Sequence, residues 1–445
     1  MQDIGVFGNL VSGLVGWWRG IAAGLPVDRV ARKITLILFA EQGLASAAFI
    51  AAATLNAIVA TDLAGNASLA GVPAAVYLLA GAFAAGGWGI LNDVLGRRRA
   101  LALGLVIGAV GSGIAFFGIA TRSFWAFLAG MLLMGAANAA VQLARFIAAE
   151  VNLPEARGRA ISQVVLGGTV GSVIGPFVAG PAGQSFRAFA GNELAGAYAV
   201  SLGLFLVGAA VVFLGLKPDP RQYGRELAAS LAAADPRPGI RADAVSRSVR
   251  SAREIFSQPA AGVALAAMVV GQLVMVLVMV ITSLHMKDHQ HSLGAISIVI
   301  SAHTFGMFAF SVISGQLVDS WGRGPVIITG AATLVLACGA ATISPDVLPL
   351  GVALFLLGLG WNFCYVGGST LLADQLSPQE RSRTQGINDL LVGLASAVGS
   401  LSSGLIFGAL GYAVMAYVSA GFALLPLLVT LTWYRRRAPA AQATS

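Results

Sequence analysis

The sequence predicts an all-α polytopic membrane protein with 12 transmembrane helices in two pseudo-symmetric six-helix bundles. Three observations support this fold class. Of the 445 residues, 57% are hydrophobic and only 10% are charged, a composition that excludes a soluble domain of this length. Apolar runs of about 20 residues, the length that crosses a bilayer, recur through the chain. Two charged patterns also repeat about half a chain apart, which indicates two related halves.

The apolar runs place the predicted spans, which we number 1 to 12 in chain order. In the first half we expect them near 34–60, 72–92, 99–120, 123–149, 159–181 and 194–216. In the second half they fall near 259–284, 293–318, 325–344, 347–373, 385–410 and 412–434. The chain then divides into five parts. They are an N-terminal tail (1–33), a first bundle (34–216), a polar linker (217–258), a second bundle (259–434) and a C-terminal tail (435–445). The tail carries Trp17 and Trp18 and predicts an interfacial helix or a partly ordered segment, with an extra span as a third option.

The distribution of basic residues predicts the orientation. Of 27 Lys and Arg residues, 23 lie in the tails, the linker and alternate loops, three lie in the other loops, and Arg145 lies inside span 4. Because basic loops stay on the cytoplasmic side, both termini are expected there. Heavy use of Ala, Gly and Arg suggests a bacterial inner membrane. The net charge of +8 comes from short blocks that anchor the chain to lipid, so a bilayer and not a nucleic acid is the expected partner.

Two charged motifs recur in the two halves. The turn between spans 2 and 3 contains Gly89, Asp93, Gly96, Arg97 and Arg98, and the turn between spans 8 and 9 contains Gly315, Asp319, Gly322 and Arg323. A second pair follows spans 4 and 10, with Glu150 and Arg157 matched by Asp374 and Arg381. The paired pattern resembles the major facilitator superfamily of secondary transporters, which carries Gly-x-Leu-x-Asp-x-x-Gly-Arg between spans 2 and 3 and a weaker copy between spans 8 and 9. The resemblance implies two parallel halves and transport by alternating access.

The same residues predict a cytoplasmic gate. We expect the Asp93 carboxylate to accept hydrogen bonds at the N-terminus of a neighbouring helix, where the helix dipole favours negative charge. Arg97 or Arg98 should reach Glu150. In the second half, Arg323 should reach Asp374. These contacts are expected to hold the cytoplasmic side closed and to break when the halves rock.

Ionisable side chains inside the spans are the sharpest functional signal, because their burial is costly. Glu41 in span 1 and Arg145 in span 4 lie at similar depths. In the family, spans 1, 4, 7 and 10 line the central cavity, so we predict that these two side chains face each other and that Glu41 exchanges a proton. A fixed ion pair that only packs two helices is the alternative. His303 suits a proton relay or a packing histidine bonded to a backbone carbonyl, and Asp389 is a further coupling residue or part of the gate.

Polar and aromatic residues on the same spans predict the substrate cavity. Asn138, Gln142 and Arg145 share one face of span 4. The complete predicted set is Glu41, Gln42, Asn138, Gln142, Arg145, Gln272, His303, Trp361, Asn362 and Tyr365. A stripe of methionines on span 7 predicts either an adaptable cavity wall or ordinary packing.

Span 5 contains a small-residue motif, Gly171, Gly175, Pro176 and Gly180. It is similar to the Gly-Pro motif of drug and proton antiporters, in which glycines permit close packing and proline kinks the helix. The match fails at Ala179, and the arginine that such antiporters carry early in span 4 falls near Met131. Three histidines between 285 and 291 suggest a metal site, but Lys287 among them opposes a cation, so we expect a solvated loop and no metal.

These features predict a proton-coupled secondary active transporter for a small amphiphilic organic solute. Neither a phosphate-binding loop nor a zinc-protease motif occurs, so no enzyme activity and no cofactor are expected. Export by antiport is preferred to uptake of a nutrient such as a vitamin or a metal chelate. A non-transporting sensor or assembly protein is the alternative of a different class. We expect a monomer.

Overall fold

A computed structural model of the protein describes residues 28–190, 192–234 and 250–442, and these residues are almost entirely helical. In this part of the chain, 11 helices are long and apolar enough to cross a membrane. The last apolar stretch has 54 residues and is long enough to cross twice. It is interrupted at Gly411, whose φ of 80° is a conformation that glycine adopts without strain. The interruption separates spans 11 and 12, so the 12-helix fold is confirmed.

The helices agree with the predicted spans and extend beyond several of them. Spans 1 to 6 are Arg29–Ala64, Val72–Leu95, Arg97–Ala120, Phe124–Val141 with Ala144–Glu150, Arg157–Ala190 and Ala195–Gly215. Spans 7 to 10 are Pro259–Asp288, Leu293–Phe308 with Ser311–Ser320, Arg323–Ala340 and Val347–Ala373, and spans 11 and 12 lie in Pro378–Gln442. Two shorter helices, Pro220–Ala234 and Ala252–Phe256, belong to the linker.

The helix ends lie outside the apolar runs because polar side chains satisfy the first backbone N–H groups. Span 1 begins at Arg29, where the Asp28 carboxylate accepts from the N–H of Val30 at 2.8 Å. Residues 1–27 of the predicted interfacial tail lie outside the described residues.

Within each half, small residues bring helices into backbone contact. A Cβ added to Gly171 in span 5 would lie 1.9 Å from the carbonyl oxygen of Gly43 in span 1. One added to Gly175 would lie 2.6 Å from the carbonyl oxygen of Ala47. Only glycine permits this approach, so spans 1 and 5 pack with their backbones in contact at both positions. The second half shows the same device between spans 9 and 10, where a Cβ on Gly330 would lie 2.8 Å from the backbone nitrogen of Cys364.

The two halves touch on one side of the bundle. We call the side that carries the linker the linker side, and the opposite side the far side. Near the far side, the Ser400 hydroxyl in span 11 donates to the carbonyl of Gly71 at the start of span 2, at 2.7 Å. Span 5 meets span 8 there as well, where a Cβ on Gly180 would lie 3.2 Å from the Cα of Gly294. The Lys287 ammonium also donates to the Glu193 carboxylate at 2.8 Å, which pairs the two halves electrostatically.

The same helices separate toward the linker side. A Cβ added to Gly86 or Gly87 in span 2, or to Gly386 or Gly393 in span 11, would meet no atom of the described residues within 4 Å. The linker-side part of span 8, Ser311–Ser320, packs against spans 9 and 10 of its own half. The bundle is therefore closed on the far side and open on the linker side.

Candidate functional site

One charged side chain of the first half lies within electrostatic range of two polar side chains of the second half. Arg145 comes from span 4 of the first half, and Tyr365 and Asp389 come from spans 10 and 11 of the second half. The Arg145 guanidinium interacts electrostatically with the Asp389 carboxylate and with the Tyr365 phenol. Asp389 is exposed although it lies inside the bundle, so this cluster borders the space that opens to the linker side.

An interruption in span 4 precedes Arg145. The helix breaks after Val141 and resumes at Ala144. The guanidinium lies 4.9 Å from the centre of the Phe146 ring, and its Nε atom is buried without a hydrogen-bond partner among the described residues. A buried donor without a partner is costly. A ligand that accepts a hydrogen bond from Arg145 Nε would remove this cost.

A second group of side chains forms a wall on the C-terminal half. The Trp361 indole N–H donates to Gln272 Oε1 at 2.6 Å, and Gln272 Nε2 donates to the Ser396 hydroxyl at 2.8 Å. The Trp361 and Tyr365 rings stack at 5.0 Å between centroids, and the Phe308 ring meets Trp361 edge-on at 6.2 Å. Spans 7, 8, 10 and 11 therefore contribute one continuous aromatic and amide surface.

Glu41 lies apart from this cluster, in the core of the first half. Its exposed fraction is 0%, and neither carboxyl oxygen has a hydrogen-bond partner in the described structure. Glu41 shares its helix face with Ala45, Ala48 and Ala52, which are also buried. The carbonyl of Ala48 accepts from the Ser201 hydroxyl of span 6 at 2.7 Å, so this face of span 1 packs on span 6.

The predicted pairing of Glu41 with Arg145 is therefore wrong for this conformation. Each residue has buried polar atoms without a hydrogen-bond partner in the described part of the chain. Matching depth along two helices does not fix the direction in which each side chain points, and Arg145 interacts with Asp389 instead. The alternative of a fixed ion pair that packs spans 1 and 4 is also not formed.

His303 is buried between spans 8 and 10 and does not border the cavity. Its exposed fraction is 0%, and its Nδ1 atom lies 2.9 Å from the carbonyl oxygen of Leu354. A carbonyl can only accept, so Nδ1 carries the proton. This is the packing arrangement that the sequence left open as the alternative to a proton relay.

Asn362 also points away from the cavity, although its neighbours Trp361 and Tyr365 face it. The Asn362 amide donates to the Met307 carbonyl at 2.6 Å and to the Ser311 hydroxyl at 3.0 Å, and it accepts from the Ser314 hydroxyl. These contacts satisfy polar groups where span 8 is interrupted after Phe308. The prediction of a cavity role for Asn362 is wrong, because the break in span 8 uses its whole amide.

The remaining cavity candidates differ in exposure. Gln142 is exposed, and its amide donates to Asn138 Oδ1 at 3.5 Å. Asn138 is half-buried. Gln42 is buried, and its Cγ atom would lie 3.1 Å from a Cβ added to Gly168 of span 5. The predicted cavity role therefore fits the position of Gln142 and Arg145 on span 4 better than it fits the buried position of Gln42.

Both ion pairs that the charged motifs predict are formed. Arg97 donates to Glu150 at 2.9 Å and to Asp93 at 3.0 Å, and Arg323 donates to Asp374 at 2.8 Å. Each pair joins helices of one half, and all of them are present while the linker side is open. The expectation that these pairs hold that side closed and break when it opens is therefore wrong for this conformation.

A carboxylate of the linker, and not Asp93, lies at the N-terminus of span 3. The Asp219 carboxylate, just before the linker helix Pro220–Ala234, accepts from the backbone N–H of Arg98 at the start of span 3, at 3.2 Å. The Asp93 side chain is 66% exposed and contacts Arg97. Arg98 donates instead to the Phe213 carbonyl at 2.7 Å. Asp93 therefore pairs with Arg97, and the linker supplies the carboxylate at this helix N-terminus.

Other residues of the gate motif make fewer contacts. Arg157 donates to the Asn152 carbonyl at 3.4 Å, and Asp319 is exposed. Gly96 and Gly322 have φ values of 83° and 90°, which require glycine at these two turns. Gly89 and Gly315 face open space among the described residues. The side chain of Arg381 lies outside the described residues.

The predicted solvated loop of three histidines begins inside span 7, since the helix continues to Asp288 and His285 is half-buried in its last turn. The His285 ring stacks on Tyr412 with 4.0 Å between centroids. In the described part of the chain, no group of three His, Cys, Asp or Glu side chains could hold a metal ion.

Sequence reasoning missed three participants. Ser396 accepts from Gln272, and Asp219 accepts from the N–H of Arg98. Both partners are far away in the sequence, so only the structure shows these contacts. The Lys287–Glu193 pair joins the far-side end of span 7 to the connection between spans 5 and 6, and the sequence counted Lys287 only as a charge in the histidine-rich loop. The complementary charge at Glu193 was the available signal.

Comparison with known proteins agrees with this architecture. The sequence matches the profile of the Major Facilitator Superfamily over residues 35–287 and 263–445. It is 31% identical to the uncharacterized MFS-type transporter YdeG of Bacillus subtilis, over 91% of this chain and 93% of the relative. It is 28% identical to the riboflavin transporter RfnT of Brucella anthropi, over 90% and 96%.

Solved structures give the same fold. A crystal structure of the nucleoside transporter NupG, in mutant form, superposes with a TM-score of 0.69 at 15% identity, covering 90% of this chain and 99% of that one. Together with the paired motifs and the two six-helix halves, these matches show that the chain belongs to the major facilitator superfamily of secondary transporters.

Proposed function

We propose that this transporter moves a small amphiphilic organic solute by alternating access and couples the movement to protons. One observation carries the proposal: a polar site shared by both halves borders a space that is closed on the far side and open on the linker side. Arg145 and Asp389, which lie in different halves, interact across this space. Rocking of the halves would change both their separation and the side from which the site is reached.

Glu41 is the proposed proton-coupling residue. A carboxyl that is fully buried without a donor is costly to ionise, because neither water nor a cation offsets the charge. The neutral acid suits the present conformation. A conformation that admits water or a cation beside span 1 would release the proton, and this difference between two states is what coupling requires.

The exposed carboxylate of Asp389 is a second candidate for proton binding. It already has Arg145 as an electrostatic partner, so binding of an anionic solute to Arg145 would weaken that interaction and favour protonation of Asp389. His303 is a weaker candidate than these two carboxyl groups. It is buried away from the cavity with its Nδ1–H donated to the Leu354 carbonyl, and only its buried Nε2, which has no partner among the described residues, could take up a proton.

The direction and the sidedness also belong to the proposal. The excess of Lys and Arg on the linker side favours a cytoplasmic linker and cytoplasmic termini in a bacterial inner membrane. Export remains our preferred direction. Transport of a vitamin is a second candidate, favoured by the relative that is named as a riboflavin transporter.

Proton movement in proteoliposomes tests this proposal. Purified protein would be reconstituted around a pH-sensitive dye and supplied with amphiphilic organic ions, riboflavin or metal chelates. We expect one class of solute to move protons in the wild type, with the sign of the pH change giving the direction. Glu41→Gln should abolish the proton movement and retain solute binding.

Asp62→Asn is the matched control. It makes the same carboxyl-to-amide change at an exposed surface pair with Arg122, at 3.3 Å, so it should behave as the wild type. Solute movement without protons in the wild type would contradict proton coupling. Unchanged proton movement in Glu41→Gln would exclude Glu41 and direct attention to Asp389.

A further inference from the structure

The aromatic wall of the C-terminal half faces the central space and the opposite half. Trp361 and Tyr365 are one helical turn apart on span 10, and both are partly exposed. Tyr365 interacts electrostatically with Arg145 of the first half. The adjacent face of span 10 is buried against its own half, since Asn362 bonds to span 8. The stacked rings therefore line the path between the halves.

The indole and amide groups of this wall already have protein partners. The indole N–H of Trp361 is used by Gln272, and the amide nitrogen of Gln272 is used by Ser396. The wall is therefore held in place before any solute arrives. It offers the solute ring faces and edges, which bind planar π-systems through stacking and edge contacts at about 0.5–1.5 kcal/mol for each aromatic pair.

The opposite side of the same space offers a hydrogen-bond donor. Arg145 Nε is buried and has no partner among the described residues. Its positive charge also interacts with Tyr365, so the donor and the aromatic wall are neighbours. A solute that places an acceptor at Arg145 while its ring contacts Tyr365 would use both features.

We propose that the solute is a planar aromatic compound carrying a hydrogen-bond acceptor, either a carboxylate or a carbonyl, on the ring edge that meets Arg145. This inference rests on the proposed transport function and specifies the solute for the same site. Trp361 and Tyr365 select planarity. Arg145 selects the acceptor, and the nearby Asp389 disfavours a second anionic group.

Four matched probes separate these features in calorimetric titrations of the purified full-length protein. They are 2-naphthoate, the neutral 2-naphthamide, the cationic 2-naphthylmethylammonium and the saturated decahydronaphthalene-2-carboxylate. We expect the first two to bind at least about tenfold more tightly than the last two, because only they combine the ring with an acceptor. Comparing naphthoate with naphthamide distinguishes a required charge from a required carbonyl.

Two substitutions connect the preference to the named residues. Trp361→Leu should lower naphthoate affinity about tenfold, whereas Trp361→Phe, which keeps a ring, should retain most of it. Arg145→Gln should remove the preference for naphthoate over the ammonium probe. Trp125→Leu is the control, because Trp125 is 79% exposed on the outer surface of span 4. This variant should bind naphthoate with the wild-type affinity.

Several results would overturn the inference. Equal binding of the saturated acid would remove the role of aromaticity, and wild-type affinity in Trp361→Leu would remove the wall. If no naphthyl probe binds while another solute still drives proton movement that Glu41→Gln abolishes, the solute class is wrong and the proposed function stands. If no solute binds or moves protons, both fail.

Discussion

The two ends of spans 2, 5, 8 and 11 behave differently although both are rich in small residues. On the far side, a Cβ added to Gly71 would lie 1.6 Å from the Ser400 carbonyl oxygen across the boundary between the halves. On the linker side, a Cβ added to Gly86 or Gly393 would meet nothing within 4 Å in the described structure. In this conformation, the small residues on the far side therefore pack against the other half. The glycines named on the linker side have no such neighbour among the described residues.

The charged residues show the same contrast. The far-side pair Lys287–Glu193 joins the two halves. The linker-side pairs Arg97–Glu150 and Arg323–Asp374 each join helices of one half. This comparison teaches that, of these ion pairs, the far-side pair favours the present conformation, whereas the linker-side pairs stabilise each half.

The largest effect is expected from Gly71→Ala. The added methyl group would overlap the Ser400 carbonyl oxygen, so closure of the far side requires a backbone shift. We expect the population to move at least about tenfold toward a far-side-open conformation, which corresponds to about 1.4 kcal/mol.

Labelling of a cysteine introduced at Gln142 measures this shift in vesicles of known orientation, using a membrane-impermeant maleimide. The native Cys338 and Cys364 are buried and should react slowly. In the parent protein, Cys at position 142 should react from the linker side only, and Gly71→Ala should add reaction from the far side. Gly421→Ala, in open space on span 12, is the control. Labelling from the linker side alone in Gly71→Ala would refute the contact's role.

A smaller shift is expected from Lys287→Gln or Glu193→Gln. The pair is partly exposed, at 38% and 27%, so its loss should cost about 1 kcal/mol and change the ratio of conformations about fivefold. The same labelling assay measures the ratio. Arg187→Gln is the matched control, because its 3.8 Å contact with Glu193 lies within one half and should leave the ratio unchanged. An equal effect of all three changes would contradict the role of the pair between the halves.

Arg97→Gln should separate stability from conformation. It removes contacts to both Asp93 and Glu150, and we expect the melting temperature to fall by a few degrees with no change in the labelling ratio. Differential scanning fluorimetry in detergent measures the first quantity. A clear change in the ratio would restore the original expectation that this pair acts on the opening of the linker side.

The smallest effect concerns the C-terminal end of the linker. Arg250 donates to the Glu380 carboxylate at 2.8 Å, and this hydrogen bond holds the pKa of Glu380 well below its ordinary value. A lowered folded-state pKa stabilises the fold above the unfolded pKa of about 4.3, and the gain is lost as pH falls through the folded value. Glu380→Gln should therefore melt earlier than the wild type at pH 7, with the difference shrinking in acid below about pH 4. A difference that does not depend on pH would exclude this ion pair as its cause.

The sequence predicted the spans well because hydrophobic length and glycine breaks are local properties. Gly411 divides spans 11 and 12 where the apolar pattern placed the division. Pairing inside a motif was also predictable, since Arg97 and Glu150 are brought together by neighbouring helices of one half.

The direction of individual side chains was not predictable from depth alone. Glu41 and Asn362 were assigned to the cavity because of their position along a helix, yet one faces span 6 and the other faces the break in span 8. Asp389 appeared to be at the start of span 11, but the helix begins at Pro378, so Asp389 lies about three turns inside it. A polar first turn carries no hydropathy signal, so the extension could not be seen.

The most direct test of alternating access is a pair of distances measured by double electron–electron resonance in reconstituted protein. One spin-label pair would join the halves on the far side, at Thr121 and Ile343, and another on the linker side, at Arg99 and Ser320. All four positions are exposed. We predict that lowering the pH on one side or adding solute lengthens the far-side distance while the linker-side distance shortens. Distances that stay fixed, or that lengthen together, would contradict the account.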